Sequence, residues 1–200
     1  MTKTELANLA LGHLGYTDAI SDITSDTSPE ARIIRVMMPT TINMVLKRAK
    51  WPFANRTLAL AVVEENPTTE WAYAYRVPAD CVEEGRIVTG YGVQTYENQV
   101  PFERGTDDQG GIIYTDERNA KLQYTTNNLN FGYVPADVVM CMSLLLAFFI
   151  APKLTGGDAF KLGDKAMQAY DLMLPSAKVA AFNAQQPRKQ QSTGSVSARD

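Results

Sequence analysis

Residues 135–151 read PADVVMCMSLLLAFFIA, and this stretch decides the fold. From Val138 to Ala151 the only polar side chain is Ser143. The apolar run is 14 residues long, short of the roughly 18 expected of a membrane span. A helix that is apolar on every side belongs at the centre of a soluble core. Asp137 is placed to cap its start, and Pro152 with Gly156-Gly157 is expected to end it.

The flanking segments supply helices for this one to pack against. Downstream, Asp158 is expected to cap a helix that turns Phe160, Ala166, Ala169, Tyr170 and Met173 inward. Pro175 should kink or split it, with a shorter piece reaching about Phe182. At the N-terminus, Thr2 and Glu5 have the spacing of a capping box, and Leu6, Leu9, Ala10 and Leu14 fall on one helical face before Gly15. Ser28-Pro29-Glu30 opens a second helix with Ile33, Ile34, Met37, Ile42, Val45 and Leu46 on its apolar side. Pro39 should kink that helix, Lys47, Arg48 and Lys50 suit its C-terminus, and Trp51-Pro52-Phe53 closes it.

Between the helices the period changes. Trp71, Tyr73 and Tyr75 alternate with Ala72 and Ala74, a half-buried strand pattern. Short strands are also expected at residues 58–63, 86–89, 100–103, 111–115 and 121–126, with Gly105 to Gly110 as a turn. The expected fold class is therefore α+β, mainly α. It would be a bundle of roughly four helices (residues 1–57 and 136–183) carrying an inserted antiparallel β unit (58–135) and a flexible C-terminal arm (184–200). The arm reads QQPRKQQSTGSVSARD from Gln185, and Val196 is its only apolar side chain larger than alanine, too few to fold alone.

Net charge is −3, which argues against a dedicated nucleic-acid binder. Its distribution is uneven: residues 58–135 hold five basic and twelve acidic side chains, about −7, and each flank is about +2. No signal-peptide pattern opens the chain. Cys81 and Cys141 stand apart outside any CxxC pattern and read as ordinary thiols. With His13 as the only histidine, no metal site is expected.

Motifs for catalysis are missing from the sequence. A GxSxG elbow, a P-loop, an HExxH pair and a dinucleotide fingerprint are all absent, and Gly90-Tyr91-Gly92 reads as a turn. His13 has no nucleophile near it in sequence. Acidic pairs at Glu64-Glu65, Glu83-Glu84 and Asp107-Asp108 read as solvated surface, because neighbours on a strand point to opposite faces. Lys47, Arg48 and Lys50 beside Trp51 could contact phosphates and stack on a base, although helix-end charges with a core tryptophan explain them more simply.

Four stretches taken in order resemble the tail tubular protein A family, the head-to-tail adaptors of short-tailed bacteriophages. They are ELANLALGHLGY, SPEARIIRVMMPTTINMVLKRAKWPFA, EWAYAYRVPADCVEEGRI, and the closing pair VPADVVMCMSLLLAFFIAPKLTGG and DAFKLGDKAMQAYDLML. The likeness covers the chain to about residue 180 and rests on segment order, not on catalytic residues. The resemblance implies a non-enzymatic virion protein of the tail or neck, assembled in the host cytoplasm, with no cofactor and no membrane partner. It implies a homo-oligomeric, dodecameric ring between the portal protein and the tail nozzle protein, through which viral DNA passes without specific binding. The C-terminal arm, with Gln185, Gln186, Pro187, Arg188, Lys189, Val196 and Arg199, would reach the portal. Glu64, Glu65, Glu83 and Glu84 are candidates for the channel wall, where like charge would keep DNA from sticking. The alternatives are a head-completion connector of a long-tailed phage, a tail-associated glycan hydrolase using carboxylates of the β unit, and a DNA-binding module led by Lys47, Arg48 and Lys50.

Overall fold

The computed structural model describes residues 1–17, 19–89, 99–157 and 160–184. Asp158, Gly90-Tyr91-Gly92 and the whole arm from Gln185 lie outside the described residues. The order of helices and strands is α1 (Lys3–His13), α2 (Pro29–Leu46), β1 (Asn55–Ala59), β2 (Val62–Glu65), β3 (Tyr73–Arg76), β4 (Cys81–Val88), β5 (Glu103–Asp107), β6 (Gly110–Thr115), β7 (Lys121–Thr126), α3 (Ala136–Leu154) and α4 (Leu162–Asn183). The chain divides into two compact units. Residues 1–56, 79–84 and 124–183 form the first, and residues 57–78, 85–123 and 184–200 the second.

Local chemistry sets the ends of the helices. At α1 the Thr2 hydroxyl accepts from the Glu5 N–H at 3.2 Å while the Glu5 carboxylate accepts from the Thr2 N–H at 2.8 Å, a complete capping box. Gly15 then takes a left-handed φ of 80° beyond the helix. Ser28 caps α2 through its hydroxyl, which accepts from the Ala31 N–H at 3.3 Å. The helix runs on through Pro39, and the buried Trp51 indole N–H donates to the Val45 carbonyl at 3.0 Å, satisfying one of the open acceptors of the last turn.

Two expected helix boundaries are corrected. Pro152 does not end α3, which continues to Leu154. A proline in the last turn forfeits one hydrogen bond, and Thr155 closes the helix by donating from both its N–H and its hydroxyl to the Ala151 carbonyl. Likewise α4 starts at Leu162, so Phe160 precedes it and is 78% exposed instead of facing inward. The helix also runs unbroken through Pro175.

The expected four-helix bundle with one inserted β unit is overturned. Among the described residues, four helices and seven strands in two antiparallel sheets make an α+β fold of another kind. In a four-helix bundle every helix turns one stripe toward a shared core. Here α3 is itself the core: Val138, Val139, Met142, Leu145, Leu146, Ile150 and Ala151 are all buried, and α1, α2 and α4 each pack against it, while α1 and α2 touch little. By length and composition α3 is also long and apolar enough to cross a membrane, with 61% of its most apolar window buried.

The β unit is two sheets. Three strands are ordered β1-β7-β4 and four are ordered β2-β3-β6-β5. In the second sheet β3 pairs with β6 from Tyr73↔Thr115 to Arg76↔Ile112, and β5 pairs with β6 from Glu103↔Tyr114 to Asp107↔Gly110. The expected turn over 105–110 is narrower than foreseen: β5 runs to Asp107, and Gly110 starts β6 with φ 131°, which only glycine adopts readily. The run expected at 58–63 is split between β1 and β2, whose interval includes the buried Leu60. Tyr75 is buried with its hydroxyl donating to the Glu117 carbonyl at 2.9 Å.

Candidate functional site

The first unit carries a groove of about 350 Å³ along one side of α2. Its floor is apolar, made by Ile23, Met38, Pro39 and Ile42, and Asn43, Asn127, Thr24, Lys3 and Arg35 complete the rim. The wall opposite α2 is a loop that hydrogen bonds hold in place. Asn8 on α1 brackets Ile20, its amide oxygen accepting from the Ile20 N–H at 2.8 Å and its amide nitrogen donating to the Ile20 carbonyl at 3.0 Å. The Ile23 N–H donates to the Thr4 hydroxyl at 3.2 Å. The Asp22 carboxylate accepts from the N–H and hydroxyl of Thr24, and these bonds hold its pKa below the ordinary carboxylate value. Arg35 spans the groove to donate to the Thr24 carbonyl at 3.0 Å. A guanidinium has five N–H donors, so this bond leaves others for an anionic group.

A second surface of the same unit is apolar and uncovered. The outward side of α4 is charged or polar in its first turns, at Asp164, Lys165 and Gln168, and becomes apolar toward its end. Leu172 is 81% exposed, Val179 59% and Phe182 76%. Positions 172, 179 and 182 lie on one side of a helix. Contiguous apolar side chains at this exposure mark a contact surface far more often than scattered ones do. Sequence reading took the Tyr170 and Met173 side as the one buried stripe and passed over this second stripe, although its spacing was there to be read. The groove had no such signal, because Lys3, Ile23, Arg35 and Asn127 meet only through the fold.

The structure also pairs His13 with a hydroxyl that sequence proximity could not suggest. His13 Nε2 lies 3.0 Å from the Ser143 Oγ, 130 positions away. The serine hydroxyl is also 2.9 Å from the Met140 carbonyl, and whether it donates there or to the ring depends on the imidazole tautomer. A hydroxyl nucleophile paired with a base must also reach its substrate. Ser143 is fully buried on α3, and burial lowers the His13 pKa, which keeps the ring neutral. This pair ties α1 to α3.

Asp80 holds a second polar cluster. Its carboxylate accepts from the Thr126 hydroxyl at 2.8 Å, the Arg56 guanidinium at 2.9 Å and the Tyr124 hydroxyl at 3.0 Å, and its carbonyl accepts from the Asn127 N–H. Burial pushes its pKa up, but the bonds from Thr126, Tyr124 and Arg56 outweigh that and leave it lowered. Tyr124 is pushed up to about 12 by burial and by the Asp80 carboxylate it bonds. The Thr126 and Tyr124 hydroxyl protons are both taken up by the carboxylate, so the cluster reads as a joint fixing the segments at residues 80 and 124–127.

The sequence-predicted residues fall as follows. Glu64 and Glu65 are exposed on β2, an edge strand of the second unit, paired opposite Ala74 and Tyr73. Glu83 is exposed and Glu84 half-buried on β4 in the first unit, adjacent positions that face opposite ways. The four carboxylates are therefore divided between the two units. Lys47, Arg48 and Lys50 are exposed just beyond α2, but Trp51 is buried and cannot stack on a base. Cys141 is buried and Cys81 half-buried, and neither forms a disulfide. Among the described residues no three His, Cys, Asp or Glu side chains come together as metal ligands. Compared with known proteins, the chain matches no family model, and no curated protein is significantly similar to it.

Proposed function

We propose that this chain is a structural, non-catalytic subunit of a phage head-to-tail adaptor ring, placed between portal and tail nozzle with DNA passing through its channel. The observation that carries the reading is the uncovered apolar end of α4, where Leu172, Val179 and Phe182 stand in solvent on one side of one helix. Leaving such a surface bare costs solubility, and a partner that covers it removes that cost. A subunit completed by its neighbours accounts for it. The resemblance in segment order supplies the setting, and the charge asymmetry suits a protein whose acidic part meets passing DNA without holding it.

Portal rings test the proposal. The purified full-length chain mixed with them should form an added ring on one face of the portal in negative-stain images. Portal rings left bare at every protein concentration, or steady turnover of capsule glycan or peptidoglycan by the chain, would sink it.

A further inference from the structure

The exposed stripe of α4 has the spacing of a helix-pairing seam. Leu172, Pro175, Val179 and Phe182 are all exposed, and steps of three, four and three residues keep them in one line along the helix. The line is about 15 Å long. Asp171 and Lys178 follow one border of it, each standing one position before a seam residue, Leu172 and Val179 respectively. They are seven residues apart, about 10 Å along the axis, too far to pair with each other. Among the described residues neither enters a salt bridge. The other border is uncharged, with Ser176 and Asn183.

We infer that in the free protein this seam is covered by the same seam of a second copy of the chain, the two α4 helices running antiparallel about a two-fold axis near residue 175. Apolar contact and charge select the same arrangement. Leu172 of each copy lies against Val179 of the other, and the two Pro175 rings meet at the axis. In an antiparallel pair the charged borders of the two copies face each other. Asp171 of each copy then comes beside Lys178 of the other, so one ion pair forms twice, as in any isologous contact. A parallel pair would set each charged border against the Ser176 and Asn183 border and gain no ion pair. A seam this short falls below the roughly 1,600 Å² of a standard interface, so the pair is weak, with a Kd above about 1 μM. A ring of equivalent copies with two unlike faces joins its neighbours by heterologous contacts. The symmetric pair therefore goes beyond the adaptor reading: it is a form of the free chain, and it opens before its copies enter a ring.

A charge swap tests the pair and its direction together. The purified full-length chain is sedimented at low salt over a concentration series reaching about 1 mM. Wild type should show a reversible equilibrium between monomer and dimer. Leu172→Asp/Val179→Asp puts charge on the seam and should weaken it by on the order of a hundredfold. Asp171→Lys sets lysines against one another and should weaken it roughly tenfold, and Asp171→Lys/Lys178→Asp should restore the wild-type Kd because both ion pairs re-form with their signs reversed. All of these changes are on the helix surface, and thermal melts check that each variant folds. A wild-type chain that stays monomeric throughout overturns the pair. Dimerisation untouched by the seam variant overturns it as well. Failure of the swapped variant to recover what Asp171→Lys loses overturns the antiparallel arrangement. Decoration of portal rings is read separately and bears on the adaptor reading alone.

Discussion

At the scale of single residues, Asp80 gives the sharpest expectation. Three side chains donate to its carboxylate and leave its pKa lowered in the fold. The sign of the linkage follows directly. A carboxylate that is more acidic folded than unfolded adds stability at pH values above its unfolded pKa, and loses it as pH falls through the folded value. Asp80→Asn exchanges a charged acceptor for a neutral one and turns an NH2 toward donors, so it should cost about 1–3 kcal/mol at neutral pH. Urea denaturation at pH 7 and near pH 3 should show the deficit at pH 7 and a much smaller one in acid. An equal deficit at both pH values would mean that the carboxylate charge contributes nothing. His13 makes the contrasting case: it lies within hydrogen-bonding distance of the buried Ser143, and no sequence rule links positions 13 and 143.

Elements were legible wherever their determinants are local. The capping box at Thr2 and Glu5, the Ser28-Pro29 start and strand Lys121–Thr126 all rest on short-range chemistry, and each sits where its sequence pattern puts it. Pro152 and Pro175 interrupt neither helix for a reason that is equally physical: each costs one backbone bond, and the apolar surface that α3 and α4 bury outweighs it. Glycines at strand contacts were invisible for the opposite reason, because the neighbour is distant in sequence. A Cβ on Gly85 would lie 2.6 Å from the Gln123 carbonyl oxygen, a backbone atom that cannot swing aside. Gly85→Ala should therefore force β4 and β7 apart and destabilise by about 1–3 kcal/mol. The measurement is the urea midpoint at unchanged slope, and a midpoint equal to wild type would show that the strands give way freely.

For the whole molecule, the misjudged bundle and the overlooked apolar stripe have one origin. Hydrophobic pattern tells which residues leave water, but it does not tell whether a partner helix, a sheet or another chain receives them. The apolar circumference of α3 was legible, and its consequence, a hub with helices on several sides, was not. The second stripe of α4 was readable as apolar, yet its exposure appears only once Tyr170 and Ala166 are seen to take the inward side. Gln185 to Asp200 carries Val196 as its one apolar side chain larger than alanine. Its Arg188, Lys189 and Arg199 instead suit an acidic or hydrogen-bonding partner surface, and the adaptor reading assigns that partner as the portal. Removing residues 185–200 separates these roles. The truncated chain should melt within about 1 °C of the full chain, since surface changes away from the core stay within roughly ±0.5 kcal/mol. What it should lose is portal binding, read as bare portal rings in negative stain at concentrations where the full chain decorates them. Undiminished decoration by the truncated chain would move the portal contact from the arm to the helical unit.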